Sequence, residues 1–137
     1  MNIKEKSFDA PLVAIVDDDL SVRRSSRRLL SSVGLRAEAF GSAEEFLSSG
    51  LVAQTACLIL DQCMPGMNGL ELQRHLADEG RRIPIIFITA QENEALCKEA
   101  TQAGALYFLQ KPVSKNVLLF AIRDALKIPP QAERSIL

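Results

Sequence analysis

Five short apolar runs, Leu12–Val16, Leu35–Phe40, Cys57–Leu60, Ile83–Ile88 and Ala105–Leu109, recur along the chain, and a helical pattern follows each one. This alternation constrains the fold more than any other feature. Four of the runs are almost unbroken in apolar residues, as strands covered on both faces are. The second, Leu35-Arg36-Ala37-Glu38-Ala39-Phe40, alternates and suits an edge strand. In the first intervening segment Leu20, Val22, Leu29, Leu30 and Val33 fall near helical spacing, and Gly34 is placed to end the helix. Ser42-Ala43-Glu44-Glu45 reads as a capping box opening a short helix through Phe46 and Leu47. Asn68 can cap a third helix with Leu70, Leu72 and Leu76 on its inner face. Glu92–Ala103 reads as a fourth, ending at Gly104, and Ser114 can cap a fifth that runs to about Lys127 before Pro129-Pro130.

Strand and helix repeated five times with short connections imply right-handed crossovers and a doubly wound parallel sheet, a single α/β domain of (βα)5 type. We expect that domain over residues 11–128, with loose ends at 1–10 and 129–137. A chain of 137 residues, 47% hydrophobic and 24% charged, can bury such a core without staples. Lys+Arg 16 against Asp+Glu 17 leaves a net charge of -1, so no global field favours direct nucleic-acid binding. No apolar run approaches the ~20 residues of a membrane helix, and the start MNIKEKSFDAP has no signal-peptide core. Cys57, Cys63 and Cys97 form a sparse, odd set that suits a reducing cytoplasm and matches no zinc spacing, and His75 alone cannot supply an imidazole-rich metal site.

In sheets of this kind ligands bind beyond the carboxyl ends of the strands. Asp17, Asp18 and Asp19 follow the first strand, Asp61 follows the third, Thr89 closes the fourth and Lys111-Pro112 closes the fifth. Asp19 is suited to cap the first helix, but capping accounts for neither Asp61 nor Lys111. Crowded carboxylates repel one another, and an all-oxygen set favours a hard cation, Mg²⁺ or Mn²⁺. A carboxylate beside such a cation and a fixed ammonium can attack phosphorus and form an aspartyl phosphate.

The set V-D-D-D at 16–19, D-Q-C-M-P-G-M-N-G at 61–69, T-A at 89–90 and F-L-Q-K-P at 108–112 resembles the receiver domain of two-component response regulators. The resemblance spans about residues 11–128, and F-G-S-A-E-E-F-L at 40–47 further resembles receivers of FixJ-like transcription factors. It implies the flavodoxin-like strand order 2-1-3-4-5. It implies Asp61 as phosphoacceptor, and Asp17 and Asp18 as holders of Mg²⁺, with the Cys63 backbone carbonyl as a further ligand. Thr89 and Lys111 would contact the phosphoryl group, and Phe108 would change rotamer as Thr89 moves. A cis Lys111–Pro112 bond would aim the lysine, and side chains at Cys63 and Gln91 would tune how long the phosphate survives. The phosphodonor would be a sensor histidine kinase or phosphotransfer protein. The last two elements are rich in apolar residues, Leu106, Leu118, Leu119, Phe120 and Ile122, most of which must be core; a surplus on the face of the fourth helix, fifth strand and fifth helix would be the phosphorylation-dependent partner or homodimer surface. Such a module controls a partner or a transcriptional output domain and is not an enzyme in the ordinary sense.

Two departures are small. Asn68 replaces a common Asp that can equally cap a helix, and Val113 stands where a larger apolar residue is frequent. A phosphohydrolase commonly places a second Asp two residues after its nucleophile, where this chain has Cys63, whose acidic neighbours make it a poor nucleophile. The intact acceptor set opposes a phosphorylation-independent module. A flavodoxin-type carrier lacks its hydroxyl-rich loops here, and both glycine-rich nucleotide motifs are missing. Arg23, Arg24, Arg27 and Arg28 form one basic cluster, read as a solvated helix face or, more sharply, as a dock for an acidic kinase surface.

Overall fold

The computed structural model describes residues 10–91 and 93–127. Its elements, in chain order, are β1 (Leu12–Val16), α1 (Leu20–Ser32), β2 (Arg36–Phe40), α2 (Ala43–Leu47), β3 (Thr55–Asp61), α3 (Gly69–Asp78), β4 (Ile85–Thr89), α4 (Glu94–Gln102), β5 (Tyr107–Gln110) and α5 (Lys115–Leu126). The strands form one parallel sheet in the order β2-β1-β3-β4-β5, as expected. α1 and α5 cover one face over Val13, Ile15, Ile59, Ile86 and Ile88. α2, α3 and α4 cover the other over Ala14, Val16, Leu58, Leu60 and Phe87. β1, β3 and β4 are therefore buried on both faces, which is why they read as unbroken apolar runs.

Local chemistry explains the boundaries. Asp19, Ser42, Asn68 and Ser114 cap helices, and Asn68 forms a reciprocal capping box with Glu71. Gly34 follows α1 at φ +80°, a conformation that disfavours other residues.

Several boundaries differ from expectation. β4 begins at Ile85, because Pro84 has no N–H to give a ladder, although its carbonyl still accepts from Leu58 N at 2.9 Å. β3 runs from Thr55 to Asp61 after an unforeseen 3-10 turn at Val52–Gln54. β2 and β5 begin one and two residues late, and β5 is half-buried, because the strand order makes it an edge. The fourth helix starts at Glu94 under an Asn93 cap. Glu92, residues 1–9 and the residues beyond 127 lie outside the described residues.

Leu20 and Val33 do not reach the core, being 49% and 39% exposed. Ser26 and Leu30 are the buried residues of α1. Leu20 lies roughly 120° around the helix from Ser26, and Val33 is the C-cap, already out of helical register.

Candidate functional site

The carboxyl ends of β1, β3, β4 and β5 bring the acidic and basic residues to one edge. Asp17 leaves β1 buried, with Oδ1 accepting the Asp19 N–H at 2.9 Å and Oδ2 accepting from Lys111 Nζ at 2.9 Å. Asp18 is exposed beside it. Asp19 turns away to cap α1, and hydrogen bonds from Ser21 hold its carboxyl below the usual range. Asp61, the last residue of β3, is buried, and its Oδ1 accepts the Cys63 N–H at 3.4 Å. One carboxylate oxygen from each of Asp17, Asp18 and Asp61 falls within 4.8 Å of the others.

Lys111 Nζ lies 3.8 Å from Asp61 Oδ2, farther than from Asp17. A single ammonium thus faces a trio of carboxylates. Burial, then the charge on Asp17, push the Asp61 carboxyl up to about 6, although Lys111 and the Cys63 N–H oppose this. Burial by itself would lower Lys111, but its hydrogen bond to Asp17 and the surrounding carboxylates outweigh that and raise it. The donor set is hard, all oxygen and short of positive charge, so it fits a hard divalent cation.

Thr89 is fully buried at the end of β4. Its Oγ1 accepts the Gln91 N–H at 3.2 Å, and its carbonyl accepts from Lys111 N at 2.8 Å. The Lys111–Pro112 bond is cis. Phe108 stands opposite Phe87 in the sheet register, with ring centroids 5.7 Å apart, on the face covered by α2–α4. Tyr107 points to the other face and donates to Asp124 Oδ2 at 2.7 Å. Cys63 and Gln91 are exposed beside the cluster. Cys57 is core, its thiol pushed up to about 12 by burial.

Four contacts around the site were not legible in the residue pattern. Arg23 is not part of a solvated face: it is half-buried, and its Nη1 donates to the Asp17 carbonyl at 2.8 Å. Gln62 Oε1 accepts the Leu70 N–H at 2.8 Å, fastening α3 to the end of β3. Gly69 packs so tightly that an added Cβ would sit 2.8 Å from the Asp61 carbonyl, Gln62 Oε1 and Phe87. Glu44 Oε2 accepts the Met67 N–H at 2.9 Å. The P-G-M-N-G turn was the one sequence signal for this packing; the partners on α1 and α2 had none.

Comparison with known proteins agrees with this arrangement. The family model for the response regulator receiver domain matches residues 13–123. The response regulator protein TmoT of Ectopseudomonas mendocina is 44% identical over 124 residues, covering 90% of this chain and 56% of that protein. The transcriptional regulatory protein FixJ of Rhizobium meliloti is 38% identical over 113 residues, covering 82% of this chain and 55% of that protein. The chain thus spans about half the length of the curated relatives it matches. The structure of the response regulator StyR superposes with a TM-score of 0.81 at 44% identity, covering 92% of this chain and 63% of that one. The structure titled FixJ-N gives 0.76 at 36% identity, covering 87% and 95%. With the β2-β1-β3-β4-β5 sheet and the acidic cluster at its carboxyl edge, the chain belongs to the receiver-domain family of two-component response regulators, on the branch that includes FixJ.

Proposed function

We propose that Asp61 is the phosphoacceptor of this receiver and that Asp17, Asp18 and the Cys63 carbonyl, with Asp61, hold Mg²⁺. The observation that carries this reading is the trio of carboxylate oxygens within 4.8 Å, with Lys111 Nζ 2.9 Å from one and 3.8 Å from another. When bound, a divalent cation supplies the positive charge that the trio lacks and steadies phosphoryl oxygens.

The chain's own groups do the rest. One ionised Asp61 oxygen attacks phosphorus, the P–N bond of a phosphohistidine breaks, and its electron pair stays on the imidazole, which takes up a proton. Lys111 has three donors, one of which Asp17 engages, leaving others for a phosphoryl oxygen. The Thr89 hydroxyl accepts from Gln91 N–H and keeps its own proton to donate. As Thr89 turns toward the phosphoryl group, Phe108 repacks beside Phe87. The domain in this way promotes its own phosphorylation and dephosphorylation, at a rate tuned by the side chains of Cys63 and Gln91.

Leu106, Val117 and Phe120 stand 41%, 48% and 64% exposed around the α4–β5–α5 face. We assign that face to a phosphorylation-dependent partner or homodimer. The functional unit is residues 11–128, working in the cytoplasm with a histidine kinase or phosphotransfer protein as donor. Because relatives such as FixJ are transcriptional regulatory proteins of about one and a half times this length, the output is transcriptional.

The test is intact mass after incubation with acetyl phosphate, with and without Mg²⁺, beside Asp61→Ala. A Mg²⁺-dependent gain of one phosphoryl group, absent in the variant, is expected. Failure of both this gain and beryllofluoride binding by the wild type would overturn the reading.

A further inference from the structure

The stretch Phe40–Leu47 sets two adjacent acids at the start of α2, and the phosphoryl chemistry uses neither. They face different ways. Glu45 Oε1 accepts the Gly41 N–H at 2.7 Å, closing the turn into its own helix. Glu44 leaves its helix and accepts the N–H of Met67, 23 residues further on, at 2.9 Å. That hydrogen bond holds the Glu44 carboxyl below its usual range. Gly66, the preceding residue, has φ +75°, and a Cβ there would lie 2.8 Å from Glu44 Oε2. The backbone approaches the carboxylate so closely that glycine suits the position on both counts.

Gly66 and Met67 belong to the loop that follows Asp61 and contains Cys63, whose N–H donates to Asp61 Oδ1. The loop's other polar anchors lead to α3 and to the end of β3: Gly69 N to the Gln62 carbonyl at 3.0 Å, Leu70 N to Gln62 Oε1, Asn68 N to Glu71 Oε1 at 2.9 Å, and Cys63 N to Asp61 Oδ1 at 3.4 Å. Met64 adds an apolar anchor beneath the loop. Glu44 supplies its polar tie to α2. Mg²⁺ tolerates little departure from its preferred geometry, so slack in a carbonyl ligand is lost affinity.

We propose that Glu44 is a positioning residue for the metal site, clamping the Gly66–Met67 backbone so that the Cys63 carbonyl stands ready beside Asp17, Asp18 and Asp61. The inference rests on the Mg²⁺ reading above and adds to it a residue that touches neither metal nor phosphoryl group. Partners that orient metal ligands are typically worth about 10–100-fold in affinity. An exposed tie four residues from its carbonyl belongs below that range, at about three- to tenfold.

The experiment measures Mg²⁺ binding by calorimetry on the full chain, and exchange of the Met67 amide in metal-free protein by NMR. Glu44→Ala should weaken Mg²⁺ about three- to tenfold and expose the Met67 amide. Glu44→Gln, which keeps an acceptor oxygen, should recover most of both. Gly66→Ala should reproduce the loss, and combined with Glu44→Ala should add little to it. Wild-type affinity in Glu44→Ala, or equal losses in Glu44→Gln and Glu44→Ala, would overturn the clamp while leaving Asp61 as acceptor. A wild type that bound no Mg²⁺ would instead overturn the metal reading, and the clamp with it.

Discussion

Replacing Asp61 by Asn should make the metal-free protein more stable, although it removes the proposed phosphoacceptor. The Asp61 carboxyl is raised from an ordinary 3.8 to about 6, chiefly by burial and then by Asp17. A group whose folded value lies above its unfolded value contributes stability that is complete below the unfolded value and is lost as pH rises through the folded one. Ionised Asp61 is therefore a burden on the fold above about pH 6. At about 1.4 kcal/mol per tenfold, a displacement of that size is worth at most ~3 kcal/mol. Water at the open mouth of the site, beside exposed Asp18, screens part of it and leaves about 1–2 kcal/mol.

Asparagine keeps the shape and can still accept the Cys63 N–H, so little packing is lost with the charge. Urea unfolding of Asp61→Asn and wild type in EDTA at pH 7.5 should show this gain as a shifted midpoint with unchanged slope. Linkage makes the gain fall by roughly half at pH 5 and nearly vanish by about pH 3. Saturating Mg²⁺ should narrow the difference at pH 7.5, because it stabilises the wild type by mass action. A variant no more stable than wild type in EDTA at pH 7.5, or a gain that ignores pH, would refute the account of the site as a charge-strained cluster.

Lys111→Ala should slow phosphorylation by acetyl phosphate by about a hundredfold at saturating Mg²⁺, since it removes a fixed donor to the phosphoryl group; single-turnover mass spectrometry reads this. Gly69→Ala should cost about 1–3 kcal/mol, because its Cβ would meet the Asp61 carbonyl, Gln62 Oε1 and Phe87, each at 2.8 Å; urea unfolding measures the loss. Phe120→Asp should leave acceptance by Asp61 unchanged and abolish any larger species formed with beryllofluoride, as read by size-exclusion chromatography with light scattering.

The fold was legible because β1, β3 and β4 are covered on both faces and leave unbroken apolar runs, while Asp19, Asn68 and Ser114 announce their helices. The cluster was legible for a topological reason: in a parallel sheet every strand ends at the same edge, so the residues just past each strand's end meet in space. The contacts that could not be read depend on distances between helices and loops. Arg23 on Asp17 and Glu44 on Met67 join elements whose separation no local pattern encodes. The preference of Lys111 for Asp17 over Asp61 is likewise a matter of an ångström, 2.9 Å against 3.8 Å. Strand starts slipped where another rule intervened, as with the missing N–H of Pro84.

On the reading proposed above, the contacts around Asp61 supply a route by which a phosphoryl group there would move a distant face. A ligand shifts a conformational equilibrium only by its differential interaction with the two states. In the resting state Lys111 is committed to Asp17, Thr89 Oγ1 accepts from Gln91, and Phe108 lies against Phe87. A phosphoryl group on Asp61 offers new acceptors to both Lys111 and Thr89, and Thr89 ends the strand beside β5. The register continues the path, for Thr89 is paired with Gln110 and Phe87 with Phe108, so a displaced Thr89 is felt two residues away at the aromatic. On that reading the switch depends on the new hydrogen bonds that Lys111 and Thr89 would make to a phosphoryl group, and Asp61→Asn, which cannot accept one, should be locked in the resting arrangement.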